Sequence, residues 1–139
     1  MAVPVSGNAR TARFWEGEHV RCLIVDDSPG FLAAARRLLE REGVTVAGVA
    51  RGGAEALRSV DELRPDVVLV DIDLGGESGL DLVGRLARTE AGGSSDIIVI
   101  STHEEEDYRD VIAEGPAVGF LPKAILSARA IQGLLGTAG

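Results

Sequence analysis

The chain has 139 residues and a mass of 14.5 kDa, room for about one domain. At 45% hydrophobic residues it can pack a core, which argues against disorder, and no apolar stretch reaches the ~18–20 residues of a membrane span. Fourteen basic against 22 acidic residues leave a net charge of −8, which disfavours bulk attraction to nucleic acid or to an anionic membrane. The single cysteine, Cys22, rules out an intrachain disulfide framework and a cysteine-based zinc cluster. Its apolar neighbours Leu23 and Ile24 point to a buried, reduced thiol, hence to a cytoplasmic protein.

Residues 1–19 show neither helical nor strand periodicity and read as a flexible N-terminal extension. Ser6, Asn8, Arg10 and Arg13 interrupt the apolar run that a secretory signal needs. From residue 20, short runs rich in Val, Ile and Leu alternate with amphipathic segments. Residues 20–26, 44–50, 67–71, 97–101 and 117–121 read as buried strands, and near-continuous hydrophobicity suits a parallel sheet covered on both faces. Helices are expected over 29–42, 53–63, 79–90, 104–114 and 124–135. The first has Ser28 as N-cap, Pro29 at its first position and Gly43 beyond its end. Val111 and Ile112 are the apolar residues of the fourth; Ile125, Ala128, Ile131 and Leu135 form the face of the fifth. Gly92-Gly93-Ser94-Ser95 reads as a loop. The order is (βα)5, an α/β doubly wound sandwich of the flavodoxin-like kind, with five parallel strands in the order 2-1-3-4-5. Such sheets bind ligands beyond the carboxyl ends of their strands.

Chemistry-bearing residues fall at those ends. Strand 1 closes on Asp26-Asp27, strand 3 on Asp71, strand 4 on Ser101-Thr102 and strand 5 on Pro122-Lys123. Lys123 is the only lysine among the 14 basic residues. Each group has a plain structural reading: the Asp-Asp-Ser triplet as a helix cap, Asp71 as a turn acid, Lys123 as a surface cation. The conjunction weighs more, because four strand ends supply complementary groups. Three carboxylates cannot crowd together ionised without a cation. Oxygen donors without His or Cys favour magnesium over zinc, and magnesium usually joins one or two carboxylates to a phosphoryl oxygen.

At this point the sequence resembles the receiver domain of bacterial two-component response regulators, stand-alone members included. The resemblance rests on the stretches 23–28, 65–72, 97–101 and 119–123, with separations of 44, 30 and 22 residues between Asp27, Asp71, Ser101 and Lys123. It covers residues 20–136 as one receiver domain. It implies that Asp71 is the phosphoacceptor for a sensor histidine kinase or histidine phosphotransfer protein. It also implies a Mg2+ ion, with Mn2+ as a substitute, held by Asp26, Asp27, Asp71 and the backbone carbonyl of Asp73. Lys123 and Ser101 would contact the phosphoryl oxygens, and Ser101 with Phe120 would form the switch. The readout surface would be the fourth helix, fifth strand and fifth helix, docking a downstream protein; a homodimer is compatible with that surface.

Several positions depart from the pattern. Gly75 stands where many members have proline, and Gly76 follows, so this loop is expected to be more mobile. Ala124 follows Lys123 in place of a common proline, so no cis bond is expected there; this ending is similar to members that carry a helix-turn-helix. Asp73, Thr102 and His103 sit where side chains tune the lifetime of the acyl phosphate. Only 16 residues follow Lys123, enough for one helix, so direct DNA binding by this chain is not expected. Glu104-Glu105-Glu106-Asp107 reads as a solvated helix start, with a docking face as the sharper alternative. Two competing functions remain. One is a docking module that works without phosphorylation. The other is a haloacid-dehalogenase-like phosphatase, disfavoured because the acid pair comes first and Leu74 replaces the usual Thr or Val. A signalling switch that is not a conventional enzyme is the leading expectation.

Overall fold

The computed structural model describes residues 20–102 and 108–137. The N-terminal extension, His103 and the acidic run 104–107 lie outside the described residues. Five strands, β1 (Arg21–Val25), β2 (Thr45–Ala50), β3 (Val67–Asp71), β4 (Asp96–Ser101) and β5 (Gly119–Pro122), form one parallel sheet in the order β2-β1-β3-β4-β5. The long helices are α1 (Pro29–Arg41), α2 (Gly53–Leu63), α3 (Gly79–Ala87), α4 (Arg109–Glu114) and α5 (Ala128–Thr137). The expected doubly wound α/β architecture is the one found.

Strand residues alternate between two cores. Cys22, Ile24, Val67, Leu69, Ile98, Ile100 and Leu121 pack with Leu32, Ala35 and Leu39 of α1 and Ile131 and Leu135 of α5. Leu23, Val25, Val68, Val70, Ile97, Val99 and Phe120 pack with residues of α2, α3 and α4. Because both faces are covered, the strands carry no polar face, which is why their sequences run apolar without a break. Burial pushes the Cys22 thiol up to about 12, so it is an inert core group.

Helix boundaries differ from the periodicity in three places. The third helix ends at Ala87, not at residue 90, and a separate single turn runs over Glu90–Gly93 with the Thr89 hydroxyl accepting from the Gly92 N–H at 2.9 Å. Gly92 and Gly93 are therefore helical rather than loop. A Cβ at Gly92 would stand 2.1 Å from the Leu86 carbonyl oxygen, so glycine is there for close packing. The last helix starts at Ala128; before it lies a 3-10 turn, Lys123–Ile125. The Ser127 hydroxyl caps α5 by accepting from the Ala130 N–H. Ile125 is consequently exposed and does not belong to the apolar face the sequence assigned it; Val111 is exposed too, while Ile112 beside it is buried. The fifth strand likewise begins at Gly119 and extends to Pro122.

Gly92→Ala is expected to lower stability by about 1–3 kcal/mol, since the new methyl has backbone rather than a movable side chain in its way. An unchanged urea midpoint for this variant would contradict the packing.

Candidate functional site

Strand register and the two-residue period bring the acidic residues together. Cys22, Leu23, Ile24 and Val25 stand opposite Val67, Val68, Leu69 and Val70, so one further step sets Asp26 beside Asp71. On the other side of β1 the pairing with β2 also reaches this residue, the Asp26 N–H donating to the Ala50 carbonyl at 3.0 Å. Asp26 continues the face of Cys22 and Ile24, and Asp71 that of Val67 and Leu69, so both lie toward the same side of the sheet. Leu121 shares that side, and Lys123 lies two residues on.

Asp26 has no solvent exposure, Asp71 is buried and Asp27 is exposed. The Lys123 ammonium lies 2.5 Å from Asp26 Oδ2 and 3.1 Å from Asp71 Oδ2. Among the described residues Asp26 Oδ2 has no polar partner besides this ammonium. Asp26 Oδ1 accepts from the Ser28 N–H at 2.8 Å, and Asp71 Oδ1 from the Asp73 N–H at 3.2 Å. Burial pushes the Asp71 carboxyl above the usual carboxylate range; the Asp73 N–H and Lys123 offset this only in part. For Lys123 burial works downward, but the carboxylates of Asp26 and Asp71 outweigh it and hold the ammonium above its ordinary value.

One oxygen each from Asp26, Asp27 and Asp71 lies within 4.8 Å of the others, a spacing that could hold a metal ion. The one lysine of the chain faces these three carboxylates, which leaves the set short of positive charge. The donors are all hard oxygens, so the residues present fit a magnesium-type cation. A cleft of about 170 Å³ opens over them, lined by Asp27, Asp71, Asp73, Gly75, Ser101, Thr102 and Lys123. A larger depression of about 640 Å³ has only α1 side chains on its described wall and offers no converging acids. Ser101 is buried at the end of β4, and Phe120 is buried in the core on that same side of the sheet. Ser28 does cap α1, accepting from the Phe31 N–H at 3.2 Å, so the cap reading and the site reading of that triplet both hold.

The loop after Asp71 carries what the sequence did not foretell. Gly75 and Gly76 have φ of 63° and 110°, and the Leu74 N–H donates to the Glu77 carbonyl at 3.1 Å. The glycine freedom expected to loosen this loop instead sets a closed turn of the mirror-image kind. A Cβ at Gly75 would meet Asp27 Oδ2 at 2.4 Å, so the loop packs directly on that carboxylate. Glu77 reaches the start of α2, where its Oε1 accepts from the Gly53 N–H at 2.8 Å and replaces the cap that Gly52 cannot supply. Phe31, which the sequence reading did not connect with the site, has its ring centroid 4.3 Å from the Lys123 ammonium. Its place in the first turn of the helix following Asp27 was the available signal. All described peptide bonds are trans.

A wound parallel sheet with an acidic cleft at its carboxyl edge and one lysine between two buried aspartates defines a receiver-type protein. Comparison with known proteins agrees: a family model described as response regulator receiver domain matches residues 22–134, and the chain belongs to that family. Among solved structures, the receiver domain of the putative response regulator NarL from Mycobacterium tuberculosis superposes with a TM-score of 0.73 at 30% identity, covering 87% of this chain and 97% of that one. The DNA-binding transcriptional activator EvgA of Escherichia coli K12 is 30% identical over 104 residues, 75% of this chain and 50% of that protein. A protein-glutamate methylesterase/protein-glutamine glutaminase of Myxococcus xanthus is 39% identical over 95 residues, 68% of this chain and 27% of that protein. The chain thus spans half or less of these two curated relatives. No helix among the described residues is long and apolar enough to cross a membrane.

A proline at position 75 tests the turn. Gly75→Pro forces φ from 63° to about −65° and is expected to cost at least ~1–3 kcal/mol, read as a lowered denaturation midpoint. A proline variant as stable as the parent would overturn the turn geometry.

Proposed function

We propose that this chain is a phosphorylation-controlled signalling switch in which Asp71 accepts a phosphoryl group from a phosphohistidine on a sensor kinase or phosphotransfer protein. The observation that carries the reading is the Lys123 ammonium 2.5 Å from Asp26 and 3.1 Å from Asp71, inside a cluster of oxygen donors that still wants positive charge. Asp26, Asp27, Asp71 and the backbone carbonyl of Asp73 would hold Mg2+, or Mn2+ in its place. When bound, the ion neutralises carboxylate and phosphoryl charge.

A carboxylate oxygen of Asp71 attacks phosphorus as the phosphorus–nitrogen bond to the donor imidazole breaks, leaving an acyl phosphate on Asp71. Asp71 enters the reaction oriented by the Asp73 N–H, which fixes Oδ1 and leaves Oδ2 facing the lysine. Lys123 offers its charge to a phosphoryl oxygen, and the Ser101 hydroxyl, at the neighbouring strand end, donates to another. Drawing Ser101 toward the phosphoryl group changes the packing beneath it, where Phe120 lies on the same side of the sheet. The result is read on the surface of α4, β5 and α5 by a downstream protein or a second copy. Asp73, Thr102 and His103 tune the lifetime of the acyl phosphate.

We infer a cytoplasmic protein that catalyses phosphotransfer from a donor to its own Asp71 and then its own dephosphorylation, rather than turnover of an external substrate. Docking to protein, not to DNA, is the output proposed for these residues, in keeping with the net charge of −8.

With Mg2+ and acetyl phosphate, one phosphoryl group per chain is the expected product, lost in Asp71→Asn and abolished by EDTA. Sustained turnover of unrelated phosphomonoesters would instead identify a phosphatase, and no adduct under any divalent ion would leave a docking module.

A further inference from the structure

Lys123 is the chain's only lysine, and its ammonium has to stand at one point between Asp26 and Asp71. A lysine stem has four rotatable carbons, so two carboxylates on a mobile head do not by themselves fix where it goes. The third neighbour of this ammonium is the Phe31 ring, with its centroid 4.3 Å away. Phe31 is itself fixed at both ends. Its N–H donates to the Ser28 hydroxyl in the α1 cap, and its side chain is half-buried against the core beneath α1.

We propose that Phe31 is a positioning residue for the phosphoryl chemistry, holding the Lys123 ammonium over its ring face at the junction of Asp26 and Asp71. The inference rests on Asp71 being the phosphoacceptor. A ring face attracts a cation through its quadrupole, and the attraction strengthens where water is kept away, as it is around this mostly buried lysine. The ring also differs in kind from the two carboxylates. When a phosphoryl group forms on Asp71, the charge facing the ammonium is redistributed, whereas the neutral ring takes no part in the reaction and keeps its quadrupole. Phe31 therefore acts as the constant anchor about which Lys123 turns from a carboxylate oxygen to a phosphoryl oxygen.

A role in packing alone would need only bulk at this position, so the test separates ring electrons from ring size. Four forms of the full chain are compared: the parent, Phe31→Trp, Phe31→Leu, and the chain with trifluorophenylalanine at position 31. Their rates of phosphorylation by acetyl phosphate at saturating Mg2+ are measured, and slow thiol labelling of Cys22 confirms that each form is folded. Because there is one lysine, selective isotopic labelling yields one lysine spin system, and its ε-methylene protons report directly on a ring stacked above them.

The parent is expected to show ring-current-shifted ε-methylene protons, and Phe31→Leu to lose the shift. Phe31→Trp should keep the parent rate within about twofold, while the leucine and trifluoro forms slow about fivefold. A trifluoro form as fast as the parent would overturn the inference by showing that only bulk matters. Unshifted lysine protons in the parent would overturn it by showing that the ring is not there. A parent that takes up no phosphate defeats the phosphoacceptor reading instead, and the lysine spectrum still decides the placement of the ring.

Discussion

A carboxylate with no exposure to water is tolerable only beside a cation, and that constraint organises this molecule. Asp26 is fully buried, and the Lys123 ammonium stands 2.5 Å from its Oδ2. Removing one partner of a buried pair typically costs ~3–5 kcal/mol, because the other charge is left uncompensated. The lysine in turn is shared with Asp71, so one ammonium answers two buried acids while Asp27 adds a third at the rim. The site is short of positive charge by construction. That deficit suits it to a divalent cation, which would offset the carboxylate charge that one ammonium leaves uncompensated.

The sheet is what makes so crowded an arrangement possible. Parallel strands with both faces covered send alternate residues to opposite cores, and their ends lie level at one edge. Asp26 and Asp71 continue the face that packs on α1 and α5, whereas Ser101 and Phe120 belong to the face under α2, α3 and α4. The acids and the lysine are thus gathered on one side, and the hydroxyl and aromatic on the other. The two sides meet at this edge, where Asp71, Ser101 and Lys123 line the same cleft.

The strands and the charged ends of β1, β3 and β5 were legible in the sequence because they follow from local apolar runs and single residues. What was hidden depends on partners distant in the chain. Gly92 looks like a loop former until the Leu86 carbonyl is seen in the space its side chain would need. Ile125 fits a helical face, but the chain makes a 3-10 turn after Pro122 and the Ser127 cap restarts the helix. Glu77 caps a helix 24 residues earlier, and Phe31 meets a lysine on the last strand's end, contacts that no local pattern encodes. Gly75 and Gly76 were visible as departures; that their freedom is spent on a closed turn against Asp27 needed the backbone.

The central claim is that Asp26, Asp27, Asp71 and Lys123 form one charge-coupled cluster able to take a divalent cation. Titrating Mg2+ into the isotopically labelled chain tests it most directly, following the backbone amides and the one lysine signal together. The account predicts a single saturable transition in which the amides of residues 26, 27, 71 and 73 and the Lys123 signal move with one affinity. Shifts scattered over the acidic surface without saturation, or a lysine signal indifferent to the ion, would contradict it.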